Sequence, residues 1–294
     1  MNRLSQSAAP ASQPGLAEAP PSPAAASGEP KVLAALETVL AKVEKAARLP
    51  DPVAMVHSAR KAMKEYRGLL RLVPGERAKA ARRATAAAAR ILSAARDRAA
   101  AQDALRHLAD EGLAGEEDIA AARAAIGEDP APGGESDDHR AELADFLAAA
   151  RAQLADGLAA EAAGADVVAG LARAYRQARK ARFDSPHHMH EARKRVVAHR
   201  YQMSFFAAAV AGRGRKRATR AQELRDLLGA YQDIETLRPM LEASATPLGP
   251  ERLARLEQAM ARLQRQLKRA ATKLHRRLFR RRADAFAGRL RRAL

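Results

Sequence analysis

The sequence predicts an all-α protein, built as two tandem antiparallel four-helix bundles that repeat one another. Three observations lead there: composition, the spacing of helix breakers, and a recurring segment. Of the 294 residues 47% are hydrophobic but only 3% aromatic, with no Trp, so the apolar matter is Ala, Leu, Val and Met, which favour helices over strands. A β-sandwich or barrel is excluded. Residues 1–30 are Pro, Ala, Ser and Gly without an apolar period and read as a disordered tail. One Arg opens the chain, but Ser, Gln and Pro break the apolar run that a signal peptide needs. No stretch approaches the roughly 20 apolar residues of a membrane span, and the expectation is a soluble cytoplasmic protein.

From Lys31 the apolar period is helical, with helices predicted at about 31–48, 53–73, 76–110, 116–126, 139–163, 166–182, 187–211, 215–244 and 250–293. Between them stand Leu49-Pro50-Asp51-Pro52, Pro74-Gly75, the Glu128 to Gly134 loop, Asp184-Ser185-Pro186, Gly212-Arg213-Gly214 and Pro247 to Pro250. Connections this short force antiparallel neighbours. Met55 to Leu72 (MVHSARKAMKEYRGLLRL) and Met189 to Phe206 (MHEARKRVVAHRYQMSFF) match: His57 with His190, Arg60 with Arg193, Lys61 with Lys194, Arg67 with Arg200. Downstream, LSAARD (Leu92 to Asp97) matches LGAYQD (Leu228 to Asp233) at nearly the same offset. Two elements recurring in order indicate duplication, with repeats at 31–165 and 166–294.

Charge narrows the function. Lys and Arg number 52 against 34 acids, a net +18, and such a balance calls for a polyanionic partner. From Asp97 to Asp166 the sign reverses, with 17 acids against 5 bases, so that section is kept off the polyanion. The chain has no Cys, which removes disulfides, thiolate metal sites and a Cys nucleophile.

Placed at 100° per residue, His57, Arg60, Lys61, Lys64, Arg67 and Arg71 share an arc of about 120°, while Val56, Met63 and Leu70 lie off it. In the second copy His190, Arg193, Lys194, Arg200, Tyr201 and Ser204 share an arc. Like charges at these spacings repel by a few tenths of a kcal/mol per pair. A merely solvated face has no reason to repeat His-x-x-Arg-Lys at equivalent places, so the two ladders are candidate phosphate donors. With histidines in both, binding is expected to tighten as pH falls from about 8 to about 6.

The paired ladders, each followed by an LG-like helical turn ending in Asp, resemble the CHAD domain, the conserved histidine α-helical domain. The resemblance covers nearly everything after the tail. It implies a pseudo-twofold pair of four-helix bundles around a basic groove that binds inorganic polyphosphate, often at polyphosphate granules. On matching positions it carries phosphate binding to His57, Arg60, Lys61, Lys64, Arg67, His190, Arg193, Lys194, Arg200 and Tyr201. Departures are Val197, where a base is expected, and Lys64, which has no counterpart; Arg195 is a doubtful substitute. Family members are often fused to a CYTH triphosphatase, but no E-x-E-x-K occurs here.

Asp97 and Asp233 would repel polyphosphate, so each is expected to accept hydrogen bonds from a ladder arginine and hold its fork. Arg83, Arg90, Arg217 and Arg220 are second-rank phosphate contacts. The main rival is sequence-independent nucleic-acid binding, which needs only phosphate contacts but here finds few aromatics for bases. A metal phosphohydrolase built on His187, His188 and His190 lacks nearby acids beyond Asp184 and Glu191, and no nucleotide-binding or hydrolase motif occurs. Association with lipid or polyester storage granules through amphipathic basic helices is a further, blander possibility. The expectation is a binding module without cofactor, metal or catalysis.

Overall fold

A computed structural model describes residues 31–92, 96–127, 136–207, 209–210 and 213–294, leaving the predicted tail outside the described residues. Every regular element among them is helical. α1 (Val32–Ala47) buries Val32, Leu36, Val39, Leu40, Val43 and Ala46, the three- and four-residue spacing of one helix face. α2 (Pro52–Leu69) begins where the Asp51 carboxylate accepts from the N–H groups of Val53 (3.1 Å) and Ala54 (3.0 Å), with Pro52 in the first turn. Gly75 takes φ +98° and turns the chain into α3 (Glu76–Ile91), a backbone conformation that a side chain would strain. α4 (Arg96–Asp110), α5 (Glu116–Ile126) and α6 (Ser136–Gln153) follow. A π turn at Leu154–Leu158 leads into α7 (Ala159–Ala163).

The second ladder lies on α9 (Pro186–Phe205), whose first turn is capped by the Ser185 hydroxyl accepting from the His188 N–H at 3.2 Å. Before it stands α8 (Val167–Arg179). After it come α10 (Arg213–Ala243), the short α11 (Ala245–Leu248), α12 (Pro250–Leu278) and α13 (Ala283–Arg291). α2 packs on α1 and across α9, and α9 packs on α8 and α10. At the α2–α9 crossing a Cβ on Gly68 would stand 3.2 Å from Tyr201 Cβ. Gly68 and Tyr201 are 133 residues apart, the same offset as His57 and His190. The Gln202 amide, fully buried, donates to the Gly68 carbonyl at 3.0 Å and ties the two helices.

Three predicted helices are interrupted. The stretch 76–110 is two helices, α3 packing on α6 and α4 along α10. The reason is phase: α3 buries Ala78, Ala81 and Thr85, whereas α4 buries Ala101, Ala104, Leu105 and Leu108. On one straight helix those stripes would face about 160° apart. α4 therefore packs along α10 instead of continuing α3. The predicted helix 139–163 bends at Asp156 and Gly157, the latter at φ +91°. The predicted helix 250–293 breaks at 279–282, letting α13 fold back on α8. There the Tyr175 hydroxyl donates to the Arg281 carbonyl at 3.1 Å.

Candidate anion-binding site

Between α2 and α3 lies an open cavity of about 240 Å³ lined by Arg67, Arg71, Lys79, Arg82, Arg83 and Ala86. Five of its six walls are cations and none is an acid. Arg71 stands just past the end of α2, and Arg82 reaches back from α3 to donate to the Leu70 carbonyl at 3.2 Å. The local turn thus fixes two guanidiniums side by side. Burial, with Arg82, Arg67 and Arg195 next in importance, pulls Arg71 down to about 10. Arg67 is lowered by burial and then by Arg90, and Arg82 by burial and then by Arg83. All of them remain charged at neutral pH. Two acids oppose this field: Glu191, engaged by Lys194 at 2.7 Å, and Glu76, which accepts from Lys79 and lies near Arg82 and Arg83. Arg67, Arg71 and Arg82 are half-buried beside one another, and repulsion among such cations is relieved when an anion enters.

The second ladder is arranged differently. His190 is half-buried, with its Nδ1 lacking a hydrogen-bond partner. Burial first and Lys194 second hold it below the usual imidazole range, with a hydrogen bond to Gln232 working the other way. The Arg193 guanidinium lies over Gly229, where a Cβ would stand 3.3 Å from its Nη2. Gly229 is the glycine of the LG turn, one helical turn before the half-buried Asp233, so the motif makes room for the arginine. Arg195 donates to the Gln177 carbonyl at 3.0 Å and neighbours Arg71. It therefore adds to the positive field at Arg71.

The CHAD domain family model matches residues 31–242. The chain belongs to the CHAD family. No curated protein and no solved structure matches it.

Within this CHAD protein the structure sorts the expected residues. Arg67, Arg71 and Arg83 meet in the cavity, with Arg90 beside Arg67. His57 and Lys61 are exposed farther up α2, with Arg60 and Lys64 half-buried among them. Lys194 is exposed at its pair with Glu191, and Arg220 is exposed on α10. Lys79 and Arg82 were not anticipated, and Arg195 was considered only as a doubtful substitute for the missing base. Lys79, Arg83, Ala86 and Arg90 fall on one stripe of α3 at four- and three-residue steps, so a search for a basic face rather than for a repeated one finds most of them.

Three expected roles change. The Tyr201 hydroxyl is buried and donates to the Lys61 carbonyl at 3.1 Å, while Arg200 stacks 4.7 Å above its ring. Tyr201 therefore holds α9 to α2 instead of meeting phosphate. Asp97 is exposed in the first turn of α4 and holds no ladder fork among the described residues; Arg60 instead donates to the Leu92 carbonyl at 2.8 Å. A carboxylate at a helix start serves the helix dipole. Arg217 is enclosed between Phe286, Tyr175 and Phe279, with ring centroids at 4.5, 5.3 and 5.8 Å. Its Nε donates to His199 Nε2 at 2.8 Å and its Nη2 to the Leu278 carbonyl. That is an interior strut, not a groove contact. Arg217→Ala is expected to lower the unfolding free energy by about 2–4 kcal/mol, since it empties an aromatic-walled space. Lys in its place should not restore stability, because a point charge lacks the planar fork; urea unfolding of both variants checks this.

Among the described residues no group of three or more His, Asp and Glu is placed to hold a metal ion. His188 pairs through Nδ1 with Asp184 Oδ1 at 2.5 Å, and Arg182 holds the same carboxylate. No described helix is long and apolar enough to cross a membrane.

Proposed function

We propose that this protein binds inorganic polyphosphate without cleaving it, through the basic face that α2, α3 and α9 form, and that it does so at polyphosphate granules. The observation that carries the reading is the pocket between α2 and α3, where Arg67, Arg71, Arg82 and Arg83 stand together, with Lys79, the partner of Glu76, beside them. Guanidinium forks match pairs of phosphate oxygens, and a polymer supplies one anion after another along the face. His57, Arg60, Lys61 and Lys64 extend the cavity toward the start of α2, and His190, Arg193, Lys194 and Arg200 offer the corresponding contacts on α9. Asp233, one turn from the Gly229 that Arg193 covers, is assigned to holding that arginine.

Binding isotherms with orthophosphate, ATP and polyphosphates of increasing length, at two salt concentrations, test the reading. Affinity should climb with chain length, because weak contacts add only along a continuous polymer, and should fall steeply with salt. Equal affinity for ATP and a long chain contradicts it, as does sustained release of phosphate from the purified protein.

The histidines give a pH dependence of defined sign. Bound phosphate favours the imidazolium, so by linkage a proton favours binding. Burial and Lys194 hold free His190 below its usual value, which extends its contribution to lower pH than the range anticipated in sequence. Polyphosphate affinity should therefore rise as pH falls through that lower window, with uptake of a proton. His190→Gln should remove that part of the rise, which titrations between about pH 5.5 and 7.5 will show.

A further inference from the structure

The charge does not end at the cavity or at the last family-matched residue. α12 commits Leu256, Met260, Leu263, Leu267, Ala271 and Leu278 to the core. Its opposite side presents Arg265, Lys268, Arg269, Lys273, Arg276 and Arg277 along an open furrow of about 630 Å³. Between Glu257 and Asp284 the chain carries ten Arg and Lys and no acid. Where cations of α12 serve packing they are neutralised: Arg252 and Arg255 both bond Asp118 of α5, at 3.1 and 2.8 Å. The outer stripe is not, although like charges at these spacings weaken a helix. A helix that needed only solubility would intersperse both signs.

The stripe also connects to the cavity. Arg195, the neighbour of Arg71, donates to the Gln177 carbonyl at 3.0 Å, and the next carbonyl, Ala178, accepts from His275 Nε2 of α12 at 2.9 Å. The end of α8 therefore lies between the two basic surfaces, and it adds the exposed Arg179 and Lys180. From Arg265 to Arg277 the stripe runs about 18 Å at 1.5 Å per residue. The face has no aromatic ring for stacking bases, and its apolar side is closed against α10, so what it recognises is phosphate alone.

We propose that a long polyphosphate chain leaving the cavity passes over the end of α8 and along the outer face of α12, making that helix a second subsite for the same polymer. The proposal rests on the polyphosphate reading above and adds a chain-length threshold to it.

The test compares wild type with the triple variant Arg269→Gln/Lys273→Gln/Arg276→Gln, all at exposed positions, after thermal unfolding shows that the fold is unchanged. Each is titrated at several salt concentrations with a short oligophosphate, with long-chain polyphosphate and with duplex DNA. The variant should bind the short chain as wild type does and the long chain about tenfold or more weakly, with a salt slope smaller by about 2. Unchanged long-chain binding overturns the second subsite and leaves the cavity standing. Equal losses for short and long chains also overturn it, because the stripe would then act as part of the cavity. Loss of DNA binding alone reassigns the face to nucleic acid. Failure of wild type to bind either phosphate chain defeats the cavity reading itself, and the extension with it.

Discussion

The double variant Arg67→Gln/Arg71→Gln is expected to bind long-chain polyphosphate at least about 100-fold more weakly than wild type, because each charge-assisted hydrogen bond lost costs roughly 1.5–3 kcal/mol. The same variant should unfold at a temperature no lower than wild type. Burial and neighbouring guanidiniums already depress both arginines, so neutral Gln relieves repulsion while keeping part of the stem that packs. Binding and stability should move in opposite directions. A structural arginine behaves otherwise: Arg217→Ala should lose stability. Thermal unfolding of both variants, without ligand, distinguishes the two kinds of buried arginine. A double variant that melts well below wild type would show that Arg67 and Arg71 hold the fold together.

Gly170→Ala should produce the largest loss of stability. A Cβ at that position of α8 would stand 2.0 Å from the Leu72 carbonyl oxygen and 2.7 Å from the Leu72 carbonyl carbon and Cα. The obstacle is backbone, which cannot rotate aside, so α8 must move off the turn after α2. Overpacking of this severity should cost about 3 kcal/mol or more. Because Leu72 follows Arg71, the displacement also reaches the cavity, and polyphosphate affinity should fall with stability. Chemical denaturation and binding on the same preparation check both. Neutral behaviour of Gly170→Ala would mean that α8 does not seat on Leu72 as described.

Much of this architecture was legible because local signals and burial agree. Asp51-Pro52 and Ser185-Pro186 mark the starts of α2 and α9, and both caps form. The two matched ladder segments lie on α2 and α9, which cross at Gly68 and Tyr201. The break between α3 and α4 was missed because an Ala-rich helix shows little amphipathic contrast, and only the phase of the buried stripes reveals it. At the site, the outer face of α2 could be read from its period. Lys79 and Arg82 could not be found by matching the two copies, since the cluster they join is formed by packing α3 onto α2. Arg217 shows the opposite failure. Its spacing on α10 is that of a surface base, and the rings that enclose it come from Tyr175, Phe279 and Phe286, distant in sequence.

The central claim, that the half-buried guanidiniums between α2 and α3 are a polyphosphate site, is tested most directly by following their side-chain Nε–H resonances by NMR in the full chain. Long-chain polyphosphate and duplex DNA are added separately at equal total phosphate and fixed salt, then in competition. The resonances of Arg67, Arg71 and Arg82 should shift and saturate with polyphosphate before those of exposed arginines such as Arg220, and polyphosphate should displace the DNA. If those three signals stay in place while the protein binds, or if duplex DNA displaces the polyphosphate, the cavity is not the polymer's site.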